Sequence, residues 1–148
     1  MDSREIMLHV IPHAVFLHIE DNVNDARVFR QAIESVTSNI RLRRVASAKT
    51  ALELIGGSGG EGGPPFDCVV TSLSLPGMGS GDFARRLRQR YDGATLPIVG
   101  MTRDTPVGSD DRGWFDAVYQ KCETPRGLRA AAQAVVDLWF SQARRFHC

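Results

Sequence analysis

Long apolar runs are missing from this sequence: none approaches the roughly 20 residues that a membrane-spanning helix needs. The first segment, Met1 to Pro12, carries Asp2, Arg4, Glu5 and His9 and has no secretory apolar core followed by a small-residue cleavage site. A cytoplasmic protein without membrane partners is therefore expected. Cysteine is scarce as well. Cys68, Cys122 and Cys148 are an odd number without metal-ligand spacing, which argues against a disulfide scaffold or a thiolate metal site. Reduced thiols are expected, with Cys68 a small buried hydrophobe. An excess of one charge is also missing: a formal net charge of +1 does not supply the basic face that nucleic acid or anionic lipid selects. Arg85, Arg86, Arg88 and Arg90 do gather in one stretch, which a solvated helix face explains. His13 reads as a surface residue and His18 as a strand residue, with no metal cluster around either.

What is present is the composition of one soluble domain: 148 residues, 43% hydrophobic and 24% charged. Ala14 to Ile19 is a short apolar segment that stops at Glu20-Asp21, as a buried strand would. Asn22 can cap a helix whose apolar positions Ala26, Phe29, Ile33 and Val36 share one face. Ile40 to Ala46 alternates arginine with apolar residues, as an edge strand does, and Ala48 to Ile55 is a short second helix. Residues 56–65 hold six of the 14 glycines and two of the seven prolines. They lack the Gly-Lys-Ser/Thr ending of a phosphate-binding loop and read as a mobile surface insertion. A central strand ends at Ser72, and Pro76-Gly77 turns the chain away. A third helix spans Gly81 to Arg90, and a fourth strand, Leu96 to Met101, ends at Thr102. Between Arg103 and Asp116 only a short, poorly anchored fourth helix is expected. Ala117 to Gln120 is a fifth strand ending at Lys121, and Thr124-Pro125 opens a last helix running to about Ala143.

Five strands alternating with helical segments predict an α/β fold: a five-stranded, doubly wound parallel sheet in a single domain over residues 14–142. Residues 1–13 then form an N-terminal extension and 143–148 a C-terminal tail. Functional groups in such sheets collect beyond the carboxyl ends of the strands. The strand-closing residues Glu20, Asp21, Ser72, Thr102 and Lys121 are thereby brought to one pocket. Oxygen ligands and a lysine there suit a divalent cation and a phosphoryl group.

These pieces are Ile-Glu-Asp-Asn after strand one, Leu-Ser-Leu-Pro-Gly-Met after strand three, Thr102 after strand four and Lys121 after strand five. In that order they resemble the receiver domain of two-component response regulators, a CheY-like, flavodoxin-like (βα)5 fold. The acid-asparagine turn and Leu138-Trp139-Phe140 look most like the stand-alone receivers that accompany bacterial phytochromes. The resemblance implies that Glu20 and Asp21 match the metal-binding acids and the Ser74 carbonyl a backbone metal ligand. Thr102 matches the hydroxyl that shifts toward the phosphoryl group, and Lys121 its counter-charge.

The chain departs from that pattern in three places. Ser72 stands at the phospho-acceptor position with no aspartate beside it, and a serine hydroxyl needs an adjacent base where an ionised carboxylate does not. With one negative charge gone, Mg²⁺ binding is expected to be weak or absent, with Glu20, Asp21 and Ser74 the only candidates. Cys122 replaces the proline expected after the lysine, so a trans bond is expected. Lys121 is then expected to point elsewhere, or to pair with Asp21 as a structural salt bridge. Val118 stands where an aromatic residue would be.

The expectation is a pseudo-receiver that acts by protein–protein contact without aspartyl phosphorylation, and not an enzyme. Its interaction face would comprise Val118 and Tyr119 on the fifth strand with Val136, Trp139 and Phe140 on the last helix, supporting a homodimer or partner contact. The alternative for Trp139 and Phe140 is extra core under a long helix. Expected partners are a histidine kinase, a phytochrome-type sensor or another response regulator. Two other readings stay open. A kinase could phosphorylate Ser72, or a small α/β hydrolase could use Ser72 or Ser80, although neither lies in a Gly-x-Ser-x-Gly elbow and no histidine follows before His147.

Overall fold

The computed structural model describes residues 13–56, 63–103 and 113–144. Five strands are present: β1 (Ala14–Ile19), β2 (Ile40–Val45), β3 (Cys68–Ser72), β4 (Ile98–Thr102) and β5 (Ala117–Gln120). Four helices accompany them among the described residues: α1 (Val23–Val36), α2 (Ala48–Gly56), α3 (Ser80–Arg88) and α4 (Pro125–Arg144). All neighbouring strands pair in parallel, in the order β2-β1-β3-β4-β5. This is the doubly wound sheet expected. Its connections run outward in both directions from β1 and β3, so a crevice opens beyond their carboxyl ends.

The helix ends form where the sequence places stop and start signals. The Asn22 side chain accepts a hydrogen bond from the Asp25 N–H at 2.9 Å and caps α1. Thr124 Oγ1 accepts from the Gly127 N–H at 3.0 Å and caps α4. Gly77, just after Pro76, has φ 77°, a left-handed turn conformation that glycine adopts without steric cost.

Alternation along the buried strands divides the core into two layers. Phe16, Val70, Val99 and Met101 face α1 and α4 together with Phe29, Ile33, Val135 and Trp139. Leu17, Val69 and Ile98 face α2 and α3 with Ile55, Phe83 and Leu87. β1, β3 and β4 are nearly continuous apolar runs because helices cover both of their faces. At the amino ends of β4 and β5, Arg88 and Asp116 form an ion pair at 2.5 Å, with side chains 13% and 16% exposed. Asp116 also accepts from the Ile98 N–H at 2.7 Å, and Arg88 donates to the Leu96 carbonyl at 2.7 Å. Thus Arg88, expected on a solvated face, is half of a structural clamp.

The N-terminal extension, most of the glycine-rich loop and most of the C-terminal tail fall on residues 1–12, 57–62 and 145–148, outside the described residues. The short helix expected between Arg103 and Asp116 falls largely on 104–112, also outside them. No helix among the described residues is long and apolar enough to cross a membrane.

Candidate functional site

β1 ends at Ile19, and the next residue, Glu20, is 2% exposed above the sheet. β3 delivers Ser72 to the same level, 1% exposed. Lys121 follows β5 and joins the two: its Nζ donates to Glu20 Oε1 at 2.6 Å and to Ser72 Oγ at 3.0 Å. A third contact runs from Nζ to Asp25 Oδ2 at 3.5 Å. Glu20 Oε2 accepts from the Asn22 N–H at 3.3 Å, and Ser72 Oγ accepts from the Ser74 N–H at 3.3 Å. Thr102 closes β4 at 6% exposure, and its carbonyl accepts the Lys121 N–H at 2.6 Å. The structure thus brings the side chains of Glu20, Ser72 and Lys121 together and joins Thr102 to Lys121 through the backbone.

Two expectations about Lys121 are corrected. The peptide bonds of the described residues are all trans, yet Lys121 points into the pocket, because two buried oxygens there meet an ammonium that would otherwise lose its solvation. Lys121 pairs with Glu20 and Asp25 and not with Asp21. Asp21 is exposed, one residue beyond the buried Glu20, and its carbonyl accepts from Arg44 Nη2 at 3.3 Å. Ser74 is exposed and meets the pocket through its N–H.

The second acid is Asp25, which the sequence reading missed. It sits in the first turn of α1, three residues after the cap, where an acid also complements the helix dipole. That capping signal, Asn-x-x-Asp, could have found it. Asp25 also receives a two-pronged hydrogen bond from Arg103, Nη1 to Oδ2 at 2.7 Å and Nη2 to Oδ1 at 2.6 Å. The Arg103 guanidinium holds the Asp25 carboxyl below the ordinary carboxylate range, aided by Lys121 and opposed by burial.

Beside this network lies a small cavity of about 40 Å³, lined by His18, Glu20, Asp25, Phe29, Met101, Arg103, Lys121 and Cys122 among others. His18 is 4% exposed, with its ring 4.7 Å from that of Phe29. Burial, reinforced by the charges of Lys121 and Arg44, pushes the His18 pKa down to about 3 and keeps the imidazole neutral. Cys122 is half-buried, its thiol 3.8 Å from the Gln120 carbonyl. The other serine considered, Ser80, is buried and donates to the Leu73 carbonyl at 3.5 Å.

On the expected interaction face, Val118 and Tyr119 are half-buried in β5, and Val136 and Phe140 are half-buried in α4. Trp139 is corrected: it is 5% exposed and packs edge-on against Phe16, ring centroids 5.4 Å apart. Its position continues the Leu128, Ala132, Val135 stripe onto the sheet, so it belongs to the core and not to the interaction face.

No protein-family model and no curated protein matches the chain. Among solved structures it is similar to the Mn²⁺-bound form of response regulator Rcp1, with 20% identity, 85% of this chain and 94% of that one covered, and a TM-score of 0.67. It is similar to the phosphorylated cyanobacterial phytochrome response regulator RcpA, with 18% identity, coverage of 88% and 96%, and a TM-score of 0.69. A CheY-like receiver domain from Methylobacillus flagellatus aligns at 21% identity, coverage of 83% and 98%, and a TM-score of 0.64. Strand order, parallel pairing and these three likenesses agree: the chain has the fold of CheY-like response regulator receiver domains.

Proposed function

We propose that this chain is a single-domain response regulator of two-component signalling that takes no phosphoryl group on an aspartate and works by binding other proteins. The observation that carries this reading is the hydrogen bond of Lys121 Nζ to Ser72 Oγ at 3.0 Å. It puts a hydroxyl at the carboxyl end of the central strand, where phosphoryl transfer from a histidine kinase would need a carboxylate. Serine is a weak nucleophile without a base, and its neighbour here is an ammonium.

Mg²⁺ binding is expected to be weak or absent, because Lys121 competes for the acids of the pocket. An octahedral Mg²⁺ usually takes one or two protein carboxylates. Of the two acids expected to supply them, Glu20 is engaged by Lys121 and by the Asn22 N–H, and Asp21 is exposed outside the pocket. Lys121 Nζ instead bridges Glu20 and the other acid of the pocket, Asp25.

Binding would use the half-buried Val118, Tyr119, Val136 and Phe140, with Trp139 holding the helix beneath them. A homodimer through α4, a histidine kinase, a phytochrome-type sensor and another response regulator remain the partners this face suits. Burial of Ser72 to 1% disfavours modification by a protein kinase, which must draw its substrate residue into its own active site. The same burial and the lack of a base at its hydroxyl favour a binding protein over a hydrolase.

Acetyl phosphate with Mg²⁺, followed by intact-mass analysis, tests the proposal. The wild-type chain should gain no phosphoryl adduct, and Ser72→Asp should gain one. An adduct on a wild-type aspartate would sink the reading, and no gain at all in Ser72→Asp would count against the pocket assignment.

A further inference from the structure

β2 ends the sheet, and its outer edge has no strand beside it among the described residues. The Asn39 and Val45 carbonyls accept from the Ala14 and Glu20 N–H groups, so the odd-numbered residues of β2 turn their backbone groups inward to β1. Successive residues of a strand alternate in direction, which turns the N–H and C=O groups of Ile40, Leu42 and Arg44 outward. Among the described residues no hydrogen bond reaches those outward groups. An unpaired edge of this kind is a template for another strand.

The side chains along this edge are strongly basic. Arg41, Arg43 and Arg44 are exposed, three of the six residues of β2. Arg44 turns back over the end of β1 and donates to the Glu20 and Asp21 carbonyls. Arg41 and Arg43 share the opposite face with Val45, and among the described residues neither pairs with an acid. Between them Leu42 is half-buried on the other face, against the core under α1 and α4. The arginines make the edge selective. A second copy of β2 pairing antiparallel about Leu42 would set Arg41 against the copy's Arg43, and like charges directly opposite are destabilising. A strand with acids at alternate positions meets the same two arginines as counter-charges.

We propose that the β2 edge docks an extended acidic segment of a partner protein, which adds a further strand to the sheet. The pairing defines the segment: acids two residues apart face Arg41 and Arg43 on one side, and the apolar residue between them covers Leu42 on the other. Main-chain hydrogen bonds to Ile40, Leu42 and Arg44 supply affinity, and the alternate side chains supply specificity. A β-branched residue suits the position over Leu42, since it fits a pleated, half-buried surface. This surface is separate from the one formed by Val118, Tyr119, Val136 and Phe140, because β2 and β5 are opposite edges of the sheet. Strand addition there requires no phosphoryl group and does not rest on the pocket's being unphosphorylated.

The probe is a capped peptide alternating glutamate and valine, as long as β2, titrated into the isotope-labelled full chain. The Ile40, Leu42 and Arg44 amides should shift and gain protection from hydrogen exchange. The double variant Arg41→Ala with Arg43→Ala should bind about five-fold more weakly, the worth of two cross-strand charge pairs, and a lysine-for-glutamate peptide about ten-fold more weakly or worse. A peptide with every backbone nitrogen methylated cannot donate to the edge and should not bind. Edge amides that stay unmoved at about 1 mM glutamate peptide, the weak end of specific binding, overturn the proposal. Equal binding of the lysine peptide or of the methylated peptide overturns it as well. If the double variant does not fold, the peptide controls decide alone. An aspartyl phosphoryl adduct would end the phosphorylation-independent reading without altering these affinities, so the two failures are distinguishable.

Discussion

Lys121 has three N–H donors, and each meets an oxygen: Glu20 Oε1, Ser72 Oγ and Asp25 Oδ2. Removing it would strand Glu20, a 2% exposed carboxylate, without its counter-charge. Lys121→Met should therefore destabilise the fold by about 3 kcal/mol, the lower end of the range for breaking a buried pair. Urea unfolding should show a lower midpoint with an unchanged slope. His18 makes a separate prediction about pH. Its folded pKa of about 3 lies below its ordinary 6.5, so between those values the unfolded chain binds the extra proton and stability rises with pH. Wild-type stability should fall as pH drops from about 6.5 toward 3, and His18→Leu should remove much of that slope. Asp25 adds a loss in the same direction only at lower pH, below the ordinary carboxylate value of 3.8, because its folded pKa is depressed. Melting curves at several pH values above 4, for both proteins, separate the two contributions. At this scale the sequence was partly legible. Ser72, Glu20 and Lys121 could be placed because they close buried strands, whereas Asp25 and Arg103 meet across 78 positions of chain, a pairing no local pattern encodes.

At the scale of elements, α4 carries the clearest revision. Its apolar stripe was readable, but its width did not say which residues lie under the helix and which beside it. Packing decided that: Trp139 meets Phe16 of β1, while Phe140 remains half-buried. Trp139→Ala should cost about 3–5 kcal/mol through the cavity it leaves. Phe140→Ala should cost much less and instead weaken self-association or partner binding, as sedimentation and thermal melts of the two variants would show. Equal destabilisation by both would mean that Phe140 too is only core. The two helix starts were legible for a local reason. Asn22 and Thr124 satisfy orphan N–H groups within three residues of themselves.

Over the described residues, the sheet separates the end that holds the candidate pocket from the end that holds the Arg88–Asp116 clamp. The pocket lies beyond the carboxyl ends of the strands, and the Arg88–Asp116 clamp lies at the amino ends of β4 and β5. Asp116→Ala should lower stability by roughly 3 kcal/mol, since it leaves Arg88 unpaired at 13% exposure. Phosphorylation of the Ser72→Asp protein by acetyl phosphate should be unaffected by it in conditions where the fold persists, and a loss there would show that the two ends are coupled. By itself the sequence determined the number and type of strands, the helix caps and the parallel class of the sheet. Those follow from apolar runs, capping residues and the alternation of elements, all of them local. Only the tertiary structure decided that Lys121 turns inward to Glu20, Ser72 and Asp25, that Asp21 stays outside, that Arg88 is a clamp and that Cys122 shares a cavity with His18. Each of these depends on which buried charges and polar groups find partners once distant segments meet, and desolvation acts only when the fold has closed around them.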